Sequence, residues 1–405
     1  MTKLRNALAI MFGLSVMSCT GAPMMKMDVS DYREAFAYTN DEQILVSILR
    51  AKDGAPLHFT ELATLGANMQ LTSSLQATMP FGELYGATTR ATSQGILGAQ
   101  NNPNLSLSSL ETQNFTQGLL SPVKPTLLKQ FFDEGIDQRL LLLLFFSGFQ
   151  EGGKPYLNNL KCDRTEPRCY DHFYDYLKKV NALAEQKLIP NIYVELTPVG
   201  KSMPWPSGTA LKDLAGIDTA KYRVETSADG TNVTVYSVSE PKFELCTERT
   251  DTKTRTVRLM SIFAGPSPQQ SCGPVRYINP NQPSDPKKSK GLAVRSVYQI
   301  IEYLGQVVEL EEREGHGNRC IKLGAENRDY SCNAEDVLFQ VNAPLGTPLV
   351  TTSYRGTPYT VSVGPCDPIS YCDHSAEVLK VVSLLINVNK SATDIPQVPL
   401  VHVTQ

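Results

Sequence analysis

Eight cysteines set the tightest limit on how this chain can fold: Cys162, Cys169, Cys246, Cys272, Cys320, Cys332, Cys366 and Cys372. In an exported protein such an even set is a disulfide framework, whereas in a reducing compartment it suggests metal or redox chemistry. The N-terminus decides between these. Lys3 and Arg5 give a positive start, Ala7 to Val16 form an apolar stretch, and the small Ser18 precedes a ninth cysteine, Cys19. A membrane-spanning helix needs about 20 apolar residues, so this stretch is too short to span and has instead the proportions of a cleaved export signal. The eight cysteines are therefore expected to oxidise. Closing the shortest loops costs the least chain entropy, which predicts the pairs 162–169, 246–272, 320–332 and 366–372. Three of the couples carry a nearby histidine, in Cys169-x-x-His172, His316-x-x-x-Cys320 and Cys372-x-His374, so a zinc reading exists. The lack of any C-x-x-C pair and the oxidising compartment favour disulfides, and no metal or cofactor is expected.

The signal ends in Val16-Met17-Ser18-Cys19, which resembles the lipobox of bacterial lipoproteins. The resemblance implies that the Cys19 thiol carries a diacylglycerol, that the chain is cut before it, and that the new amine takes an acyl chain such as palmitate. Two or three acyl chains hold a protein stably where one does not. Thr20 stands where an aspartate would suggest inner-membrane retention, so the expected location is the outer membrane, facing the periplasm, with membrane lipid as a partner through Cys19. A plain export signal with an incidental cysteine is the alternative.

With 405 residues and 41% apolar content the chain can bury a large core, in two domains or one elaborate one. Its net charge of −3 becomes −5 once Lys3 and Arg5 leave with the signal, and no basic stripe remains, so nucleic acid is an unexpected partner. The longest later apolar run, "LLLLLFF" at 140–146, has the length of a buried strand.

The expected organisation is a signal peptide at 1–18, a tether at 19–36, an N-terminal α+β region at 37–264, a Pro-rich linker at 265–290 and a C-terminal α+β region at 291–405. A first helix starts with Thr39 and Glu42 at capping-box spacing, presents Ile44, Leu45, Ile48 and Leu49, and ends at Gly54 and Pro56. Residues 68–81 then alternate apolar and polar with no charge, and a shorter alternation follows at 104–109, so a hairpin over 68–110 is expected. It has three readings: an amphipathic pair lying on its own core, a strand pair lent to a membrane barrel or oligomer, and a surface loop. Helices over 121–135 and 171–188 lead into strands at 139–147 and 191–196. A turn at Asp229-Gly230 joins two strands. Beyond the linker, Val297, Ile300, Ile301, Leu304, Val307 and Val308 mark one face of a strong helix. Strands are expected at 336–342 and 348–363, the latter turning at Arg355-Gly356. A last helix would bury Val378, Val381, Val382, Leu384 and Leu385, and "LVHVTQ" would close the chain as a strand. Helix followed by strand, repeated, predicts an α+β fold with mixed sheets, helices packed on one face, and loop disulfides as staples.

Three blocks, "ILVSILRAKDGAPLHFTEL" at 44–62, "RSVYQIIEYLGQVV" at 295–308 and "SAEVLKVVSLLINVNKSATDIP" at 375–396, resemble a group of functionally uncharacterised proteobacterial envelope lipoproteins. The resemblance implies an envelope lipoprotein and brings no catalytic residue.

No nucleophile–base–acid constellation stands out, and neither G-x-S-x-G nor a phosphate loop occurs. Of the histidines His58, His172, His316, His374 and His402, only His316, on a Gly-rich loop beside Arg313 and Glu314, sits where chemistry is common. The carboxylates of "ELEEREG" at 309–315 have the spacing of a solvated helix face. Asp373 beside His374 fits a cap for the last helix, with Ser375 as a competing cap. Trp205, between two prolines, is either packed on its own domain or an anchor for a partner or sugar. The leading expectation is a non-enzymatic, lipid-anchored interaction or assembly component that docks other envelope proteins. The alternatives are a subunit of an oligomeric outer-membrane export channel, a homo-oligomer to which each copy contributes the 68–110 hairpin, and a periplasmic hydrolase.

Overall fold

The computed structural model describes the chain apart from residues 1–20, 76–94, 110–111, 152–153, 162–169, 205–217, 251–256, 263–270, 279–291, 314–320, 324–335, 344–345, 365, 368–370 and 391–405, with only the backbone course given for 21–36 and 60–109. Cys19, Cys162, Cys169, Cys320, Cys332, Trp205, His316, His402 and the closing "LVHVTQ" lie outside the described residues. The fold is α+β, with helices packed on sheet, in two units: one of residues 1–40, 58–115 and 390–405, the other of 41–57 and 116–389. No described helix is long and apolar enough to cross a membrane.

In the first unit, strands β1 (Thr60–Leu75) and β2 (Gly95–Ser109) pair antiparallel from Thr60↔Ser109 to Leu75↔Gly95. The hairpin thus begins eight residues earlier than the alternation at 68 suggested. Helix α1 (Gly21–Lys52) also begins earlier than expected. Thr39 opens no new helix and residues 21–36 are helical rather than an irregular tether. The sequence holds no breaker between Pro23, tolerated in a first turn, and Gly54, whose φ of +65° ends the run.

The larger unit is built around α4 (Gln138–Phe145) and the strand β3 (Phe146–Glu151) that follows it without a loop. Residues 140–146 are fully buried, but 140–145 are helix, not the strand expected. A run of uninterrupted apolar residues has no period to distinguish the two states, and consecutive leucines, unbranched at Cβ, favour helix. Asp137 caps this helix by accepting the Arg139 N–H at 2.7 Å. Helix α2 (Gln113–Leu120) precedes it in the chain, and around it pack α3 (Pro125–Asp133), α5 (Asp171–Ala184) and α6 (Val297–Arg313). The expected apolar face of α6 is buried at all six positions. Gly305 lets α6 meet the end of α1: a Cβ there would sit 2.6 Å from the Lys52 nitrogen.

Three-stranded sheet β12-β3-β4 joins β4 (Lys154–Leu157) and β12 (Leu292–Val294) to β3. A seven-stranded sheet contains β5 (Ile189–Pro198), β6 (Met203–Pro204), β7 (Tyr222–Thr226), β8 (Asn232–Val238), β9 (Lys242–Thr250), β10 (Val257–Ser261) and β11 (Val275–Tyr277). Its order is β10-β9-β5-β8-β6, with β7 on β8 and β11 parallel to β5. Phe132 of α3 and Phe146 of β3 both stack near Phe243 of this sheet. The expected linker at 265–290 therefore contributes to the sheet through β11. Its Cys272 forms the predicted disulfide with Cys246, which pins this Pro-rich stretch to the sheet.

The hairpin β13 (Thr347–Tyr354)–β14 (Thr357–Val363) turns at Arg355-Gly356 as expected, both with positive φ. The short strands β15 (Cys366–Asp367) and β16 (Tyr371–Cys372) are closed by the predicted Cys366–Cys372 disulfide and lead into α7 (Ser375–Asn389). On α7, Leu379 and Ile386 are buried beside the expected valines and Leu385, whereas Leu384 is exposed. The strand expected at 336–342 is instead a buried segment with one bridging residue, Val337, flanked by Lys322 and Asp373.

Candidate functional site

Val337 is the reason that distant polar residues meet. Its N–H donates to the Cys372 carbonyl at 2.8 Å and its own carbonyl accepts the His374 N–H at 3.0 Å. The 336–340 segment is thereby laid along the start of α7, near the N-terminus of α4. Asp336 then faces Arg139, whose Nη2 donates to Asp336 at 2.8 Å and to Asp137 at 2.5 Å. Burial raises the Asp137 pKa, but the hydrogen bonds and charge of Arg139 outweigh it, with His374 adding, so its net shift is downward. His374 is buried. Its Nδ1 lies 2.9 Å from a Glu377 carboxylate oxygen, and its Nε2 has no hydrogen-bond partner.

Asp373 points the other way. It accepts the Ser375 N–H and hydroxyl on one oxygen and the Gln340 side-chain amide on the other. Asp373 is thus the cap of α7, and Ser375 is bound by it rather than competing with it. Gly364 makes room for this arrangement, since a Cβ there would approach Asp373 to 2.6 Å. Close by, Glu311 accepts the Val341 N–H at 3.2 Å. Burial, reinforced by the Glu312 and Asp373 carboxylates, pushes its pKa up to about 8. Of the "ELEEREG" carboxylates, Glu311 is therefore packed rather than solvated, while Glu312 is exposed and pairs with Lys52 at 2.6 Å. This difference arises because the 340s segment crosses the helix over Glu311, an approach that helix spacing alone does not reveal.

Asp137 and Arg139 also line a cavity of about 640 Å³ with Phe132, Gly135, Asn181 and Glu185. Both polar atoms of the Asn181 amide are buried there without a partner. Elsewhere, Glu244 lies near Cys246 and Cys272, but the disulfide consumes both sulfurs as ligands. Of the other expected histidines, His58 and His172 are exposed and do not join the cluster. Asp137, Arg139 and Asp336 were not singled out by the sequence. The one available signal was Asp137 directly before an apolar helical run, where a cap belongs.

The second unusual feature is the β1–β2 hairpin. Its sixteen- and fifteen-residue strands hold one charged residue, Glu61, and among the described residues neither strand has a second neighbour. Among the described residues each therefore presents an edge to which no strand is paired. Pro103, opposite Ala67, interrupts the donor row of β2, while β1 is free of proline. Comparison with protein families, with curated proteins and with solved structures finds no match for this chain.

Proposed function

We propose that this chain is a lipid-anchored assembly component of the Gram-negative outer membrane, non-enzymatic, which docks other envelope proteins or further copies of itself by strand addition to β1. The observation that carries the reading is the open-edged, nearly uncharged hairpin. A two-stranded ribbon is marginal alone in water and gains stability when a third strand pairs with it. The likeness of Val16–Cys19 to a lipobox, and of the three blocks to envelope lipoproteins, supports the location and the anchor at Cys19.

Strand length favours one finer form. A barrel strand needs about 9–11 residues to cross a bilayer, and both hairpin strands exceed that. A ring of copies, each lending one hairpin to a shared barrel, would make the protein a subunit of an export channel. The test is a full chain in which 60–109 is replaced by a short Gly-Ser linker, extracted in detergent beside the parent protein and crosslinked in cells. The parent is expected to give crosslinks through the hairpin, with heat-sensitive rings if the channel form holds. The variant is expected to lose both while its body melts at the parent temperature. Unchanged crosslinks in the variant would end the proposal.

A further inference from the structure

We propose that His374 Nε2, with one carboxylate oxygen each from Asp137 and Asp336, forms a binding site for a single zinc-class divalent metal ion. One ring nitrogen of His374 and one oxygen of each aspartate lie within 4.8 Å of one another. Because Glu377 engages Nδ1, Nε2 is the nitrogen left to bind. That nitrogen is buried and unpartnered in a residue only 8% exposed, an arrangement that costs free energy unless something occupies it. A histidine whose far nitrogen is held by a carboxylate is the usual form of a metal-ligating imidazole, since the carboxylate fixes the tautomer and makes the ligand more basic. One imidazole and two carboxylates suit a borderline ion such as zinc, and three protein ligands leave a coordination position for water or substrate. The cavity that shares Asp137 and Arg139 lies beside this site.

In the present structure the Arg139 guanidinium bridges the two carboxylates and supplies the positive charge. Arg139 and the ion therefore compete for the same oxygens. The arginine side chain is 27% exposed, which gives it a path outward when the ion enters. Arg139 holds the two acidic groups together at the position where the ion would bind them.

The test uses the full chain, oxidised, with residual thiols alkylated and metal stripped by chelation, titrated calorimetrically with zinc alone. One equivalent should bind and raise the Tm. His374→Gln and Asp336→Asn should each abolish that binding. Glu377→Gln, which leaves the three ligands in place, should weaken it by about tenfold or more. Arg139→Gln should tighten it, a result that a merely structural role for the cluster would not give. Circular dichroism in chelator checks that each variant folds; if His374→Gln does not, Asp336→Asn, altering a partly exposed loop residue, decides the matter. No binding by the parent chain at millimolar zinc, or binding that survives Asp336→Asn undiminished, as at the exposed His58 or His172, would overturn the proposal.

Discussion

The two sheets that differ most in make-up are the β1–β2 hairpin and the seven-stranded sheet of the larger unit. The large sheet is made of short strands, has phenylalanines from α3 and β3 packed beside Phe243, and is stapled by Cys246–Cys272. Two of its outer strands contain charged residues, Arg258 on β10 and the ion-paired Arg223 and Glu225 on β7, and a third, β6, holds Pro204. Charged outer strands discourage further pairing. The hairpin is longer than any strand of that sheet and almost without charge. Under the proposed function, one sheet is built to be finished and the other to be continued. On that reading, the difference assigns stability and assembly to separate parts of the chain.

That division can be broken most forcefully at Arg295. Its guanidinium is buried, donates to the carbonyls of Leu143, Leu144 and Asn158 at 2.6–3.2 Å, and lies 4.0 Å over the Tyr303 ring. Arg295→Met should cost the body about 3–5 kcal/mol, because it orphans carbonyls at the buried end of α4. Urea denaturation measures this, and hairpin-dependent crosslinking should persist at temperatures where the variant remains folded. A smaller effect is expected from the disulfides. Replacing Cys246 and Cys272 by serine should cost about 2–4 kcal/mol, and replacing Cys366 and Cys372 about 1 kcal/mol less, since that pair closes a much shorter loop. Equal losses in paired melts would contradict the loop-length argument.

The smallest effect concerns Glu311. With its pKa at about 8 in the folded chain and 4.5 as the ordinary value, the folded state holds a proton that the unfolded state has released between those limits. Its contribution to stability is therefore fully present below about pH 4.5 and is lost as pH rises towards 8. Glu311→Gln removes this dependence, so the variant should gain on the parent by on the order of 2 kcal/mol between pH 5 and 6.5, read from urea midpoints. No relative gain would mean that Glu311 is ionised within the fold.

The features legible in the sequence were those with a local period or a local turn. All six expected positions on α6 are buried, the Arg355-Gly356 turn has the two positive φ values its residues suit, and the described part of the expected alternation, 68–75, falls on a paired strand. Leu140 to Phe145 could not be read, because a run that is apolar on every side looks the same as helix or strand. Leu384 was placed inward because a valine- and leucine-rich helix offers several overlapping faces, and only the neighbours decide which is covered. The site was harder still. Arg139 and Asp336 stand 197 residues apart. What joins them is one residue, Val337, bridged to Lys322 and Asp373, and a lone pairing residue leaves no period to detect.

The lone guanidinium of Arg295 also governs how the body comes apart. Helix ends ordinarily fray at little cost, each terminal turn opening and closing independently of the rest. At α4 the last turn instead solvates an interior cation, so unwinding it would strand that charge in an apolar surround or drag it into water together with the start of α6. The cheapest local motion of an ordinary helix is here tied to the residue that opens into α6, so this helix end cannot loosen without disturbing a second element.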